Sequence, residues 1–141
     1  MSDSMDQLIN LLHKERCSCV IRTGDRITVC RERGVKDLFR LLKEEPEILT
    51  GASVADKVIG KGAAVLMVKG GVSRVYADVI SRPALSLLEL HGIDVEYDRL
   101  TDNIINRQGT GICPVETLTM HCDNLDECVA KIEGFIKSMN K

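Results

Sequence analysis

A chain of 141 residues, 44% apolar and 28% charged, is sized for a single globular domain with a core of its own, spanning residues 1–141. Aromatic residues make up 3% and tryptophan is absent, so the core must be aliphatic and stacking platforms for single-stranded nucleic acid are missing. The formal net charge is −2 with no basic stripe, which argues against nucleic-acid and membrane partners.

The first sixteen residues are charged and amphipathic rather than of signal-peptide type, and no apolar run approaches a membrane span. The six cysteines are therefore expected as reduced thiols in the cytoplasm. Ser4 to Glu15 reads as a helix, because Met5, Leu8, Ile9 and Leu12 recur on one stripe. Cys17 to Val20 and Ile27 to Arg31 read as a hairpin around Thr23-Gly24-Asp25. Val35 to Glu44 is a second amphipathic helix, stopped by Pro46.

The stretch Gly51 to Gly71 is the centre of the chain. Ser53 and Asp56 have capping-box spacing, which predicts a helix from Ser53, and the unbroken apolar run Ala63 to Val68 predicts a strand buried on both faces. Gly70-Gly71 ends it, and Arg74 to Ala77 is expected as a short strand or extended loop. Ser81 caps a helix that ends at Gly92, and Ile93, Val95 and Tyr97 alternate with acids as a half-exposed strand. Leu100 to Ile112 reads as a loop, and Cys113-Pro114-Val115-Glu116 opens a short helix. Asp123 is expected to cap a last helix striped by Leu125, Cys128, Val129, Ile132, Phe135, Ile136 and Met139. Helices between buried strands predict an α/β layer with part of its sheet parallel.

On the predicted central helix Lys57 and Lys61 lie four apart, hence on one face, where two like charges cost roughly 0.2–0.5 kcal/mol. An anion held between them would turn that cost to use. Cys113 precedes a proline at a helix start, where the helix dipole favours the thiolate, and Glu116 stands in the same turn. The polar loop with Arg107, Gln108, Thr110 and Gly111 can wrap an anionic or heterocyclic ligand with backbone N–H groups. The plainer alternatives are a solvated lysine face, a cysteine packed as a small hydrophobe, a capping glutamate and a surface connection. Cys17, Cys19, Cys30 and Cys128 read as core positions. His13-Lys14-Glu15 is a literal H-x-E without a following C-x-x-C, so it reads as a surface histidine and no metal is expected.

The segments ADKVIGKGAAVLMVKGG, VYADVISRPALSLLELHGI and NRQGTGICPVE resemble those of a small prokaryotic family of unknown function with a cytidine deaminase-like fold. The resemblance implies a three-layer α/β/α sandwich with a mixed sheet. Zinc deaminases place H-x-E at one helix start and P-C-x-x-C at the next. The matching positions here carry Asp56-Lys57 and Ser81-Arg82-Pro83, which provide no His or Cys ligand, so zinc-dependent deamination is not expected. Three readings follow. The first is a zinc-independent enzyme acting on a small anionic metabolite or nucleotide, with Cys113 and Glu116 catalytic, Lys57, Lys61, Arg107 and Thr110 binding, and no cofactor. The second is a binding or regulatory module of the same fold. The third is a homodimeric interaction protein using exposed helix faces.

Overall fold

The computed structural model describes residues 2–15, 17–31, 35–102, 119 and 124–139, and among these residues five α-helices and five strands make three layers, with a short 3-10 turn at Pro46–Ile48. The elements are α1 (Ser2–Lys14), β1 (Cys19–Thr23), β2 (Arg26–Cys30), α2 (Lys36–Glu44), β3 (Ser53–Ile59), α3 (Lys61–Gly70), β4 (Arg74–Ser81), α4 (Arg82–Leu90), β5 (Asp94–Thr101) and α5 (Leu125–Met139). The sheet order is β2-β1-β3-β4-β5. β1 runs antiparallel to both its neighbours, while β3, β4 and β5 are parallel, so the sheet is mixed as expected.

Each face of the sheet has its own core. On one, α1 lays Met5, Leu8 and Leu12 against Val20 and Ala55. On the other lie α2, α3, α4 and α5, with α3 in contact with the other three. The hairpin forms at its expected place: a two-residue turn, Gly24-Asp25, joins β1 to β2, and Gly24 takes φ 59°, as glycine can at little steric cost.

The centre of the chain corrects the sequence reading. Ser53–Ile59 is a strand and Lys61–Gly70 a helix, the reverse of the expected order. Val54, Val58 and Ile59 are β-branched and suit the pleat, while Ala63, Ala64, Leu66 and Met67 are strong helix formers. The break at Gly70-Gly71 is real but closes a helix: Gly71, at φ 81°, donates its N–H to the carbonyls of Met67 and Val68. Gly62 to Met67 are all buried, because α3 is enclosed by the sheet on one side and by helices on the others. The unit closes on itself. Gly51 donates to the Gly71 carbonyl at 2.7 Å, and Ser73 donates its N–H to the Ala52 carbonyl at 2.9 Å.

β4 is a full eight-residue strand rather than a short one, pairing with β3 and β5 along its length. Ser81 caps α4 as expected, accepting from the Ala84 N–H at 3.3 Å. At α5 the observed cap is Asn124, whose Oδ1 accepts the Glu127 N–H at 2.7 Å; Asp123 lies outside the described residues. The loop expected from Leu100 starts later, because Leu100 and Thr101 pair with Ile80 and Ser81 as the end of β5. Residues 103–118, with the rest of that loop and the helix expected to open at Cys113, lie outside the described residues. No helix of the described residues is long and apolar enough to cross a membrane.

Candidate functional site

The topology gathers polar groups at one end of the sheet. The carboxyl ends of β3 and β4, the start of β1, the end of β2 and the end of α1 all lie there, because β1 is antiparallel to its neighbours. Ligands of open α/β sheets bind beyond the carboxyl ends of the strands, where the order of connection reverses. Here the chain passes from β3 outward to β4 and β5 on one side, with β1 and β2 on the other.

Asp56 is the central group. Cross-strand register sets it opposite Cys19, which in turn stands opposite Cys30, so two thiols and a carboxyl form one row across three strands. Asp56 is 7% exposed, and its Oδ1 accepts the Val58 N–H at 3.3 Å. Burial pushes its carboxyl up to about 7, with the charge of Asp78 adding to the rise and the N–H groups of Val58 and Lys57 opposing it. Cys19 is also pushed well up, by its hydrogen bond with Cys30 first, then by burial and by Asp56. Cys17, Cys19, Cys30 and Cys128 are buried cysteines outside any disulfide, at core positions as the sequence indicates.

On the opposite face a second polar group ties α1 to β4. Asp78 Oδ1 lies 2.7 Å from His13 Nε2 and accepts the Tyr76 hydroxyl at 2.8 Å. Tyr76 and Asp78, two apart on a strand, share a face by the pleat. Burial raises the Tyr76 phenol above its usual range, and the hydrogen bond and charge of Asp78 raise it further. His13 is exposed, a surface histidine as the sequence indicates, and its ring also meets Asp78 on the sheet.

Lys57 and Lys61 do not share a helix face. Lys57 lies in β3, where its charge lowers the Cys17 thiol against the upward push of burial. Lys61 is the first residue of α3, behind Gly60, which provides no side-chain cap. It borders a cleft of about 330 Å³ between α3, α4 and α5, with Val65, Leu87, His91 and Leu125. At the neighbouring helix start Arg82 pairs with Asp102 at 2.8 Å, linking α4 to the end of β5. Arg107, Thr110, Cys113 and Glu116 lie outside the described residues. Among the described residues no three His, Cys, Asp or Glu side chains converge to hold a metal ion.

Sequence reasoning gave Asp56 only a capping role and passed over Tyr76 and Asp78. The signal for the pair was their spacing of two in a segment that alternates apolar and polar. The signal for Asp56 was a lone carboxyl set against Val54 and Ala55, which only the register with Cys19 makes legible.

Among curated proteins none matches this chain. A crystal structure of a DUF1893 family protein, TM1506 from Thermotoga maritima, is similar at 26% identity and a TM-score of 0.86, over 95% of this chain and 90% of that one. A family profile described as TM1506, Domain of unknown function (DUF1893), matches residues 7–136. With that match across the whole sheet and the helices on both its faces, the chain belongs to the DUF1893 family.

Proposed function

We propose that this protein binds a small anionic metabolite, nucleotides included, at the carboxyl ends of β3 and β4, and acts on it without zinc in a cytidine deaminase-like fold. The observation that carries this reading is Asp56. Its carboxyl, at about 7, is poised to give and take a proton near neutral pH, and it lies shortly before the start of α3. Lys61 and the first N–H groups of α3 offer positive charge to an anion there, and Lys57, which follows Asp56 on β3 and so lies on the α1 face, is proposed to add a second cation from across the strand end. Cys113 and Glu116 keep their proposed roles as nucleophile and proton carrier, and Arg107 and Thr110 theirs as ligand contacts. A non-catalytic module is the second reading. It is favoured by the Val58 N–H bond to Asp56, which gives that carboxyl a structural task.

Thermal melting against a panel of nucleotides and sugar phosphates tests both. A ligand at one hundred times its Kd adds about 2.7 kcal/mol of stability. The expected result is an upward shift with at least one compound, reduced by Lys61→Ala. Turnover of that compound, lost in Asp56→Asn and Cys113→Ala with binding retained, selects the enzyme. Binding without turnover selects the module, and no shift with any compound sinks both. Alkylation of the native protein supplies the check on Cys113: the four buried thiols are expected to stay unlabelled, and a Cys113 midpoint well below the ordinary 8.5 supports its role as nucleophile.

A further inference from the structure

The two outer strands of the sheet are unlike each other. β5 exposes Asp94, Glu96, Asp98 and Arg99, and charges along an outer strand discourage pairing with other chains. An antiparallel pairing of β5 with itself centred on Tyr97 sets Glu96 against Asp98, acid on acid. β2, Arg-Ile-Thr-Val-Cys, has no proline and one charged residue, Arg26, whose guanidinium lies 3.9 Å from Glu45. Its Ile27 and Val29 are 38% and 36% exposed. They share the face on which α1 packs, but α1 covers β1 and β3 and leaves this pair beside it.

We propose that a second copy of this chain pairs its β2 antiparallel with β2 about a two-fold axis at Thr28, joining the two sheets into one. Three features argue for this occupant. A two-fold contact must be self-complementary, and in this register Ile27 of each copy meets Val29 of the other on the exposed face. Thr28 meets Thr28 at the axis, where two hydroxyl side chains are compatible. At both ends Asp25 of one copy stands opposite Arg31 of the other, so the charges that flank the strand are complementary. Both residues are exposed. The pairing also gives hydrogen-bond partners to the outward backbone groups of a five-residue strand, which is the usual basis of strand addition.

The test is the molar mass of the full chain by sedimentation equilibrium across a wide range of concentration. A two-chain mass is expected. Ile27→Lys and Val29→Lys should each return a one-chain mass with an unchanged circular dichroism spectrum, since neither side chain is buried. Asp25→Arg and Arg31→Asp should each weaken association roughly tenfold through two like-charged contacts, and the two together should restore it. A one-chain mass at every concentration overturns the proposal. So does a two-chain mass that survives both lysine variants, or a charge swap that fails to restore association.

Discussion

Cys19 and Asp56 stand opposite each other across the antiparallel β1–β3 pair, both buried on the side of the sheet that faces the four later helices. A carboxyl in that place is easier to keep protonated than ionised, and its folded value of about 7 lies above the 3.8 of an ordinary aspartate. The folded chain therefore holds this proton more tightly than the unfolded one. The resulting stabilisation is complete below the unfolded value and is lost as pH rises through the folded one, between about 4 and 7. The full span is on the order of 4 kcal/mol. Asp56→Asn keeps an oxygen for the Val58 N–H and cannot ionise. Denaturant unfolding from pH 4 to 8 is expected to show a decline in the native chain over this window that the variant lacks, with the variant the more stable at pH 8. Equal slopes in both proteins would show that Asp56 ionises without cost.

Tyr76 offers a spectroscopic reading of the polar group under α1. Burial and then Asp78 hold its phenol above the usual range. The chain has two tyrosines, so Tyr97→Phe leaves Tyr76 alone to titrate. In that background Asp78→Asn should lower the phenolate midpoint, with the contribution of burial remaining. An unmoved midpoint would mean that Asp78 does not act on Tyr76.

Two glycine-to-alanine changes in helices are expected to have opposite signs. A Cβ on Gly70 would lie 2.8 Å from Leu49 Cβ and 2.7 Å from its Cδ1, and the first of these atoms cannot swing away. Gly70→Ala should cost about 1–3 kcal/mol by overpacking. Gly134 is exposed in α5 with nothing within 4 Å of the added carbon, so Gly134→Ala should stabilise by about 0.5–1 kcal/mol. Chemical denaturation of the two variants checks both signs.

The amphipathic elements were legible because each has one wet face. α1 shows the stripe of Met5, Leu8 and Leu12, and the hairpin shows Gly24-Asp25 between two apolar runs. The error fell where water is excluded. A helix enclosed on every side has no reason to alternate, so α3 reads as the same unbroken apolar run as a buried strand. β3 was disguised in turn by Ser53 and Asp56, whose spacing imitates a capping box while Asp56 is buried opposite a thiol. The candidate site was less legible than the fold. His13, Asp78 and Tyr76 are brought together from positions 65 apart in sequence, and no local pattern announces such a meeting. The helix face that the sequence predicts for Lys57 and Lys61 does not exist, since one lies in β3 and the other opens α3, and what they share is nearness to the carboxyl end of β3.

The closure of the β3-α3-β4 unit bears on the order in which the chain folds. Gly51 and Gly71 are joined by one hydrogen bond, and Ser73 returns to Ala52, so the first strand, the helix and the start of the next strand form a ring of short sequence separation. Contacts of that kind lose little loop entropy when they form. The amides of α3 are also among the most deeply buried in the molecule. This ring is expected to assemble before β1 and β2 dock along its edge, and its amides to be the last to exchange with deuterated solvent. In that order the hairpin arrives on a finished template, and Cys19 meets a carboxyl already in its place.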